Sequence, residues 1–181
     1  MQHPHTDEYI LTLIAAPEQR EAGFRLLLQQ YGDRLYHHIR RMVVQDDDTK
    51  DVLQNTLLRI SQHIGNFEAR SQLYTWLYRV ATNEALTFLE QRRRKQSRTA
   101  FLSDNNDEWL HQQKAEPQLE GAYIRQRLEM AMEQLPPKQK AVFSLRYFEE
   151  KSYQEMAAIF STSEGALKAS YHHAVKKLNP S

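Results

Sequence analysis

Residues 152–178 read SYQEMAAIFSTSEGALKASYHHAVKKL, and the fold turns on this stretch. Tyr153, Met156, Ala157 and Phe160 recur at threes and fours, which gives one apolar face of a short helix. Ser161, Thr162 and Ser163 form a joint, and Ser163 is a favoured N-cap type for a second helix. In that helix Ala166, Leu167, Ala174 and Leu178 are expected to pack inward. Glu164, Lys168, Ala169, Tyr171, His172 and Lys176 fall largely on its other faces. Two short helices about a tight joint make a helix-turn-helix. The turn often holds a glycine, and Ser161 stands there instead. A plain solvated hairpin has the same pattern, so the rest of the chain must weigh between them.

The chain has 181 residues, enough for one ordinary domain or two small ones. It is 40% hydrophobic and 26% charged, with 5 glycines and 6 prolines, a composition that favours helices. The net charge of +1 means that an anionic partner is met by local patches. There is no cysteine, which excludes disulfides and thiolate metal sites and fits a reducing cytoplasm. MQHPHTDEYILTLIAAPEQ has neither a basic start nor a long apolar run, so it does not read as a signal peptide. No stretch approaches the roughly 18 apolar residues of a membrane span.

Eight histidines invite a metal search. One Glu-x-x-His occurs, Glu108 to His111, whereas a di-metal bundle site needs two and further glutamates. His37-His38 and His172-His173 are adjacent pairs, which point apart on a helix. No glycine-rich phosphate loop occurs. The expectation is no metal, no cofactor and no enzymatic activity.

Upstream, Phe24, Leu27, Leu28, Tyr31, Leu35, Ile39 and Met42 mark one face of a helix beginning near Pro17. QDDDTKD interrupts it, with Asp48 or Thr49 expected as the next N-cap. The following apolar face is Val52, Leu53, Leu57, Ile60 and Ile64, closed by Gly65-Asn66. After the loop FEARSQ, Leu73, Leu77, Val80, Ala81 and Ala85 mark a third helix running into FLEQRRRKQSR. SDNNDEWLHQQKAEPQLEG is acidic and poorly periodic and reads as a linker, with room for a helical turn near Trp109. Periodicity returns with Tyr123, Ile124, Leu128, Met132 and Leu135, breaks at Pro136-Pro137, and resumes with Val142, Phe143, Leu145 and Tyr147. The expected fold class is all-α: two small helical domains, 1–98 and 122–181, joined by a flexible acidic linker at 99–121, the second with the helix-turn-helix. The segment ahead of Pro17 reads equally as a short leading helix or a mobile arm.

Residues 135–178, LPPKQKAVFSLRYFEEKSYQEMAAIFSTSEGALKASYHHAVKKL, resemble the C-terminal promoter-binding domain of bacterial RNA polymerase sigma factors. The likeness is to the small extracytoplasmic-function (ECF) type. Leu135-Pro136 opens that pattern, and Lys168, Ala174 and Leu178 close it. Residues 51–94, DVLQNTLLRISQHIGNFEARSQLYTWLYRVATNEALTFLEQRRR, are similar to the family's N-terminal conserved domain. There DVLQNT is similar to the segment that grips the polymerase clamp, and TWLYRVATN to the segment that opens the minus-ten element. Two departures stand out. Glu84-Ala85-Leu86 occupies the place of an aspartate and a basic run, which arrives only at Arg92. Lys168-Ala169-Ser170-Tyr171 lacks an arginine often found beside the Lys-Ser pair, so no base preference carries over.

The resemblance implies a sigma factor that binds core RNA polymerase through its clamp and directs promoter recognition and transcription initiation in the cytoplasm. The implied partners are core polymerase and promoter DNA, with no membrane insertion. An anti-sigma factor is a further candidate partner, since small sigma factors are often held by one.

Each implied segment has a chemistry to perform. Opening a duplex without ATP requires trapping an unstacked base, so stacking and hydrogen-bonding groups must offset the unstacking. Phe67, Arg70, Ser71 and Gln72 in the loop supply such groups, followed by Tyr74, Tyr78, Arg79 and Asn83 on the next helix. Trp76 lies between Leu73 and Leu77 and is expected in the core. Arg92, Arg93, Arg94 and Lys95 suit phosphates, or form a solvated helix end. Asp51, Gln54 and Asn55 form a polar stripe suited to a basic coiled coil on the clamp. Asp51 equally suits a helix start. For the minus-thirty-five element the residues are Ser163, Glu164, Gly165, Lys168, Ala169, Tyr171, His172 and Lys176, at a helix that enters the major groove. The linker carboxylates Asp104, Asp107, Glu108 and Glu116 are expected to shield the basic patches in the free protein. The rival reading is a helix-turn-helix regulator that acts without being a polymerase subunit. It leaves the 51–83 pattern unexplained.

Overall fold

A computed structural model describes residues 6–68, 71–102 and 120–178. Among the described residues there is no strand, and the helices are α1 (Asp7–Ala15), α2 (Arg20–Val43), α3 (Asp46–His63), α4 (Leu73–Leu102), α5 (Glu120–Glu133), α6 (Pro137–Tyr147), α7 (Tyr153–Phe160) and α8 (Glu164–Leu178). The chain is all-α, as expected. None of these helices is long and apolar enough to cross a membrane.

The segment ahead of Pro17 is a leading helix. Thr6 caps α1 by accepting the Tyr9 amide at 3.3 Å, and Ile10 and Ile14 are buried against α2. Gly23 permits the approach: a Cβ there would stand 2.7 Å from Ile14 Cγ1 and 2.8 Å from the Ile14 amide nitrogen. On α2 the expected face is buried at Leu27, Tyr31, Leu35, Ile39 and Met42, while Leu28 turns outward.

α3 starts earlier than the expected cap at Asp48 or Thr49. It begins at Asp46 after Gln45, with no side-chain cap. Three aspartates in the first turn offset the exposed amide dipoles instead. Thr49 is buried one turn in, its hydroxyl donating to the Gln45 carbonyl at 2.6 Å. α4 packs Leu73, Leu77, Ala81 and Ala85 inward and runs to Leu102, past the expected domain edge at 98. The proposed acidic stretch with Asp104, Asp107, Glu108, Trp109 and Glu116 lies outside the described residues.

The helix-turn-helix forms at α7 and α8. Ser152 and Glu155 make a reciprocal capping box at the start of α7. Ser161 takes the left-handed conformation, φ 51° and ψ 47°, that a glycine would adopt without strain. Ser163 caps α8 by accepting the Ala166 amide at 3.2 Å. Leu167 and Ala174 are buried and Leu178 partly so, but Ala166 is exposed, contrary to expectation, because it lies on the outer side of the first turn.

The two halves share a core. Met132, Leu135, Phe143 and Ala174 make a small cluster within the C-terminal half. Ala141, Val142, Leu145, Met156, Ile159 and Leu167 belong instead to the cluster that contains Leu35, Ile39, Leu77 and Tyr78. Residues 140–145 of α6 are consecutively buried, with α8 on one side and α2 and α4 on the other. A helix covered all round belongs to an interior rather than a surface.

Candidate polymerase and nucleic-acid interfaces

Asp51, Gln54 and Asn55 are exposed on α3, while Val52, Thr56 and Ile60 are buried behind them. Asp51 lies in the second turn, so the helix-start role belongs to Asp46, Asp47 and Asp48. Leu58 falls on the same stripe at 53% exposure. Leu58 was not singled out from the sequence, and its helical spacing from Asp51, Gln54 and Asn55 was the available signal.

The loop before α4 carries Phe67, half-buried with its ring 5.7 Å from that of Trp76. Trp76 is itself half-buried against the core. Ser71 is half-buried and Gln72 exposed, and Arg70 lies outside the described residues. A groove of about 860 Å3 separates this loop from α1.

On α4 the expected DNA-facing residues divide. Asn83, Arg93 and Arg94 are exposed. Arg92 pairs with Asp48 at 3.0 Å and Arg94 with Glu90 at 2.5 Å. Tyr78 is fully buried and Tyr74 is 9% exposed, so neither ring face is open for stacking on a base. Their rings lie 4.4 Å apart, and burial raises both phenols above the usual tyrosine range. The C-terminal half covers them. Lys151 Nζ sits 4.0 Å above the Tyr74 ring. Glu149 accepts from Arg41 at 2.5 Å and from the Tyr78 hydroxyl at 3.2 Å. Arg79 donates from Nε to the Ala158 carbonyl of α7 at 3.0 Å. Sequence periodicity placed these residues on α4 but carried no sign that α6 and α7 would lie over them.

Behind Tyr78, His38 is fully buried with Nε2 2.8 Å from the Thr82 hydroxyl. Burial, and secondarily Arg41, lowers its pKa to about 3, so the imidazole is neutral.

On α8, Ser163, Glu164, Gly165, Lys168, Ala169, His172 and Lys176 are exposed. Apart from its own helix backbone and chain neighbours, nothing lies within 4 Å of the place where a Gly165 Cβ would stand, so the start of this helix is open to a backbone or phosphate. Lys168 is steered by Glu164 at 3.8 Å and by the Tyr153 ring at 5.4 Å. Tyr171 departs from the expected exposed set. It is half-buried, its ring nearly parallel to Phe143 at 5.7 Å, because it closes the small C-terminal core.

The comparisons agree with this layout. Residues 27–95 match the model of sigma-70 region 2, and residues 125–178 match that of sigma-70 region 4. The RNA polymerase sigma-H factor of Pseudomonas aeruginosa is 27% identical over 169 residues, covering 90% of this chain and 86% of that one. The ECF RNA polymerase sigma factor SigX of Bacillus subtilis is 28% identical over 161 residues, covering 87% of this chain and 82% of that one. CnrH, solved with the cytosolic domain of CnrY, aligns over 95% of this chain and 94% of its own, with TM-score 0.64 and 20% identity. The sigma factor RpoE, solved with the anti-sigma factor NepR from Bartonella quintana, aligns over 86% of this chain and 93% of its own, with TM-score 0.65 and 22% identity. At such identities these two structures speak for the fold. A region 2 module followed by a region 4 module defines a sigma subunit of bacterial RNA polymerase. This chain belongs to the ECF-type sigma factors, which direct promoter recognition and transcription initiation.

Proposed function

We propose that the chain joins core polymerase through the α3 stripe of Asp51, Gln54 and Asn55, with Leu58 as an apolar contact inside it. The observation that carries this is one exposed, mixed polar and apolar row on a helix whose opposite face is fully buried. A polar stripe around an apolar centre suits a specific protein contact. For the minus-ten element, Phe67, Arg70, Ser71 and Asn83 meet the opened strand, and Arg92, Arg93 and Arg94 follow its phosphates. Tyr74, Tyr78 and Arg79 join them only after α7 lifts away. At the minus-thirty-five element, Lys168, Ala169 and His172 face the major groove, Ser163 to Gly165 meet a phosphate, and Lys176 acts on the backbone. Tyr171 positions this helix from within. The packed arrangement is the form that is not engaged on DNA.

The N-terminal domain, carried by α4 to Leu102, and the C-terminal domain, opening with α5 at Glu120, stand as the two units that separate on engagement, with the shared core between them as the surface released. An anti-sigma protein is proposed as a partner, supported by the complex of RpoE with NepR. The site of action is the cytoplasm, and the chain has no catalytic step of its own.

Size exclusion of the purified chain with core RNA polymerase tests this reading. Co-elution is expected, and Asp51→Arg together with Gln54→Ala should abolish it. A folded chain that never co-elutes with core would return the helix-turn-helix regulator and a search for a palindromic operator.

A further inference from the structure

We propose that α1 forms one wall of the pocket that receives an unpaired base of the opened strand, and that Glu8 reads an exocyclic amino group on that base. This rests on the minus-ten role given above to the loop before α4. The groove between that loop and α1, about 860 Å3, falls within the range of small-ligand sites. Leu11 and Ala15 line it together with Phe67 and Leu73. Glu8, Thr12, Ser71 and Gln72 add polar groups to the same lining. Apolar faces with a few polar edge partners are what a flat heteroaromatic ring requires.

α1 is held rigidly enough to select. Its 9 residues are too few to stay helical alone. Docking of Ile10 and Ile14 on α2, at the close approach that Gly23 allows, fixes its axis. The Asp7 carboxylate accepts from the Tyr31 hydroxyl at 2.5 Å and from Gln30 at 3.2 Å, which fixes its first turn. Glu8 then stands exposed at the groove. The Thr12 hydroxyl donates to the Glu8 carbonyl at 2.8 Å, leaving its oxygen lone pairs as acceptors.

Charge decides the occupant. Carboxylates at this wall repel phosphates, so the strand backbone must run elsewhere, along the exposed Arg93 and Arg94. They attract the amino group of cytosine or adenine, and a carboxylate accepting from cytosine N4 is a standard edge pairing. Thymine, with a carbonyl at that place, is disfavoured.

The test uses holoenzyme assembled from core polymerase and the full chain. It selects from fork DNAs whose single-stranded non-template segment is randomised. Wild type should enrich cytosine or adenine at one position of that segment. Glu8→Gln should reduce that enrichment about ten-fold, and Thr12→Val should weaken it, with affinity for core unchanged. A purely structural α1 would not alter base choice at one position while sparing the others. Equal enrichment by wild type and Glu8→Gln would overturn the α1 assignment and leave the sigma reading intact. Lost core affinity with unchanged base choice would mark the groove as a polymerase contact and overturn it too. No enrichment anywhere in the single-stranded segment by wild type would bring down both readings.

Discussion

The guanidinium of Arg79 on α4 donates to the backbone carbonyl of Ala158 on α7. A residue proposed for the minus-ten element is thus spent on the helix that precedes the DNA reader of the other half. One cannot serve DNA while it serves the other. Binding to core polymerase and a promoter is therefore expected to separate the halves. The chain has no cysteine, so labels at Glu18→Cys and Lys177→Cys, both exposed, would be unique. Energy transfer between them should fall on addition of core and promoter. Unchanged transfer in an active complex would contradict the closed-to-open reading.

Glu149 ties three elements together by accepting from Arg41 of α2 and Tyr78 of α4. Glu149→Ala leaves a half-buried guanidinium and a buried phenol without that acceptor. The loss should be about 1–2 kcal/mol in urea unfolding, the lower part of the range for a group left unsatisfied, because Arg41 keeps some solvent. Glu149→Gln should cost less.

Ser161 is strained in a way its neighbours are not. Left-handed backbone costs a non-glycine residue about 1–2 kcal/mol, a cost a local side-chain bond partly offsets in some contexts. Ser161→Gly should raise the unfolding midpoint slightly, and Ser161→Val should lower it clearly. Thermal melts of the two variants in parallel decide this.

Gly23→Ala places a methyl against the Ile14 backbone, which cannot swing aside as a side-chain end could. α1 should lose its seat at a cost of about 1–3 kcal/mol. Limited proteolysis should then cut ahead of Pro17 in the variant and spare the wild type.

His38 sets an acid limb. In the native chain its proton binds only near pH 3, whereas the ordinary imidazole value is 6.5. As pH falls through 6.5 the unfolded chain binds the extra proton, so stability is full above that value and declines toward pH 3. The steepest slope is about 1.4 kcal/mol per pH unit. His38→Gln retains a partner for Thr82 and should flatten this limb in denaturant titrations between pH 6 and pH 4.

Much of the fold was legible because helical spacing records burial on a local scale. Val52, Ile60, Leu73, Leu77, Leu167 and Ala174 all lie where their spacing placed them. Three features escaped that record. The start of α3 lacked a side-chain cap, so the strongest capping types nearby, Asp48 and Thr49, were misleading. Tyr171 reads as surface by spacing, but a stacked ring on Phe143 is a long-range contact. Tyr74, Tyr78 and Arg79 meet Lys151, Glu149 and Ala158, in α7 and the turn before it, about 70–80 residues later, and nothing within a helical turn announces such a neighbour.

Residues 140–145 of α6 are buried between the two halves, and this has a thermal consequence. Separating the halves would wet the Ala141, Val142 and Leu145 side that now faces α2 and α4. Wetting apolar surface raises heat capacity, so the free energy of separation is curved in temperature, with its maximum at some intermediate value. Below that maximum, cooling loosens the apolar part of the contact. On the closed-to-open reading, the population ready to meet polymerase thus carries a built-in dependence on growth temperature, written into one short helix wedged between α8 and the N-terminal half.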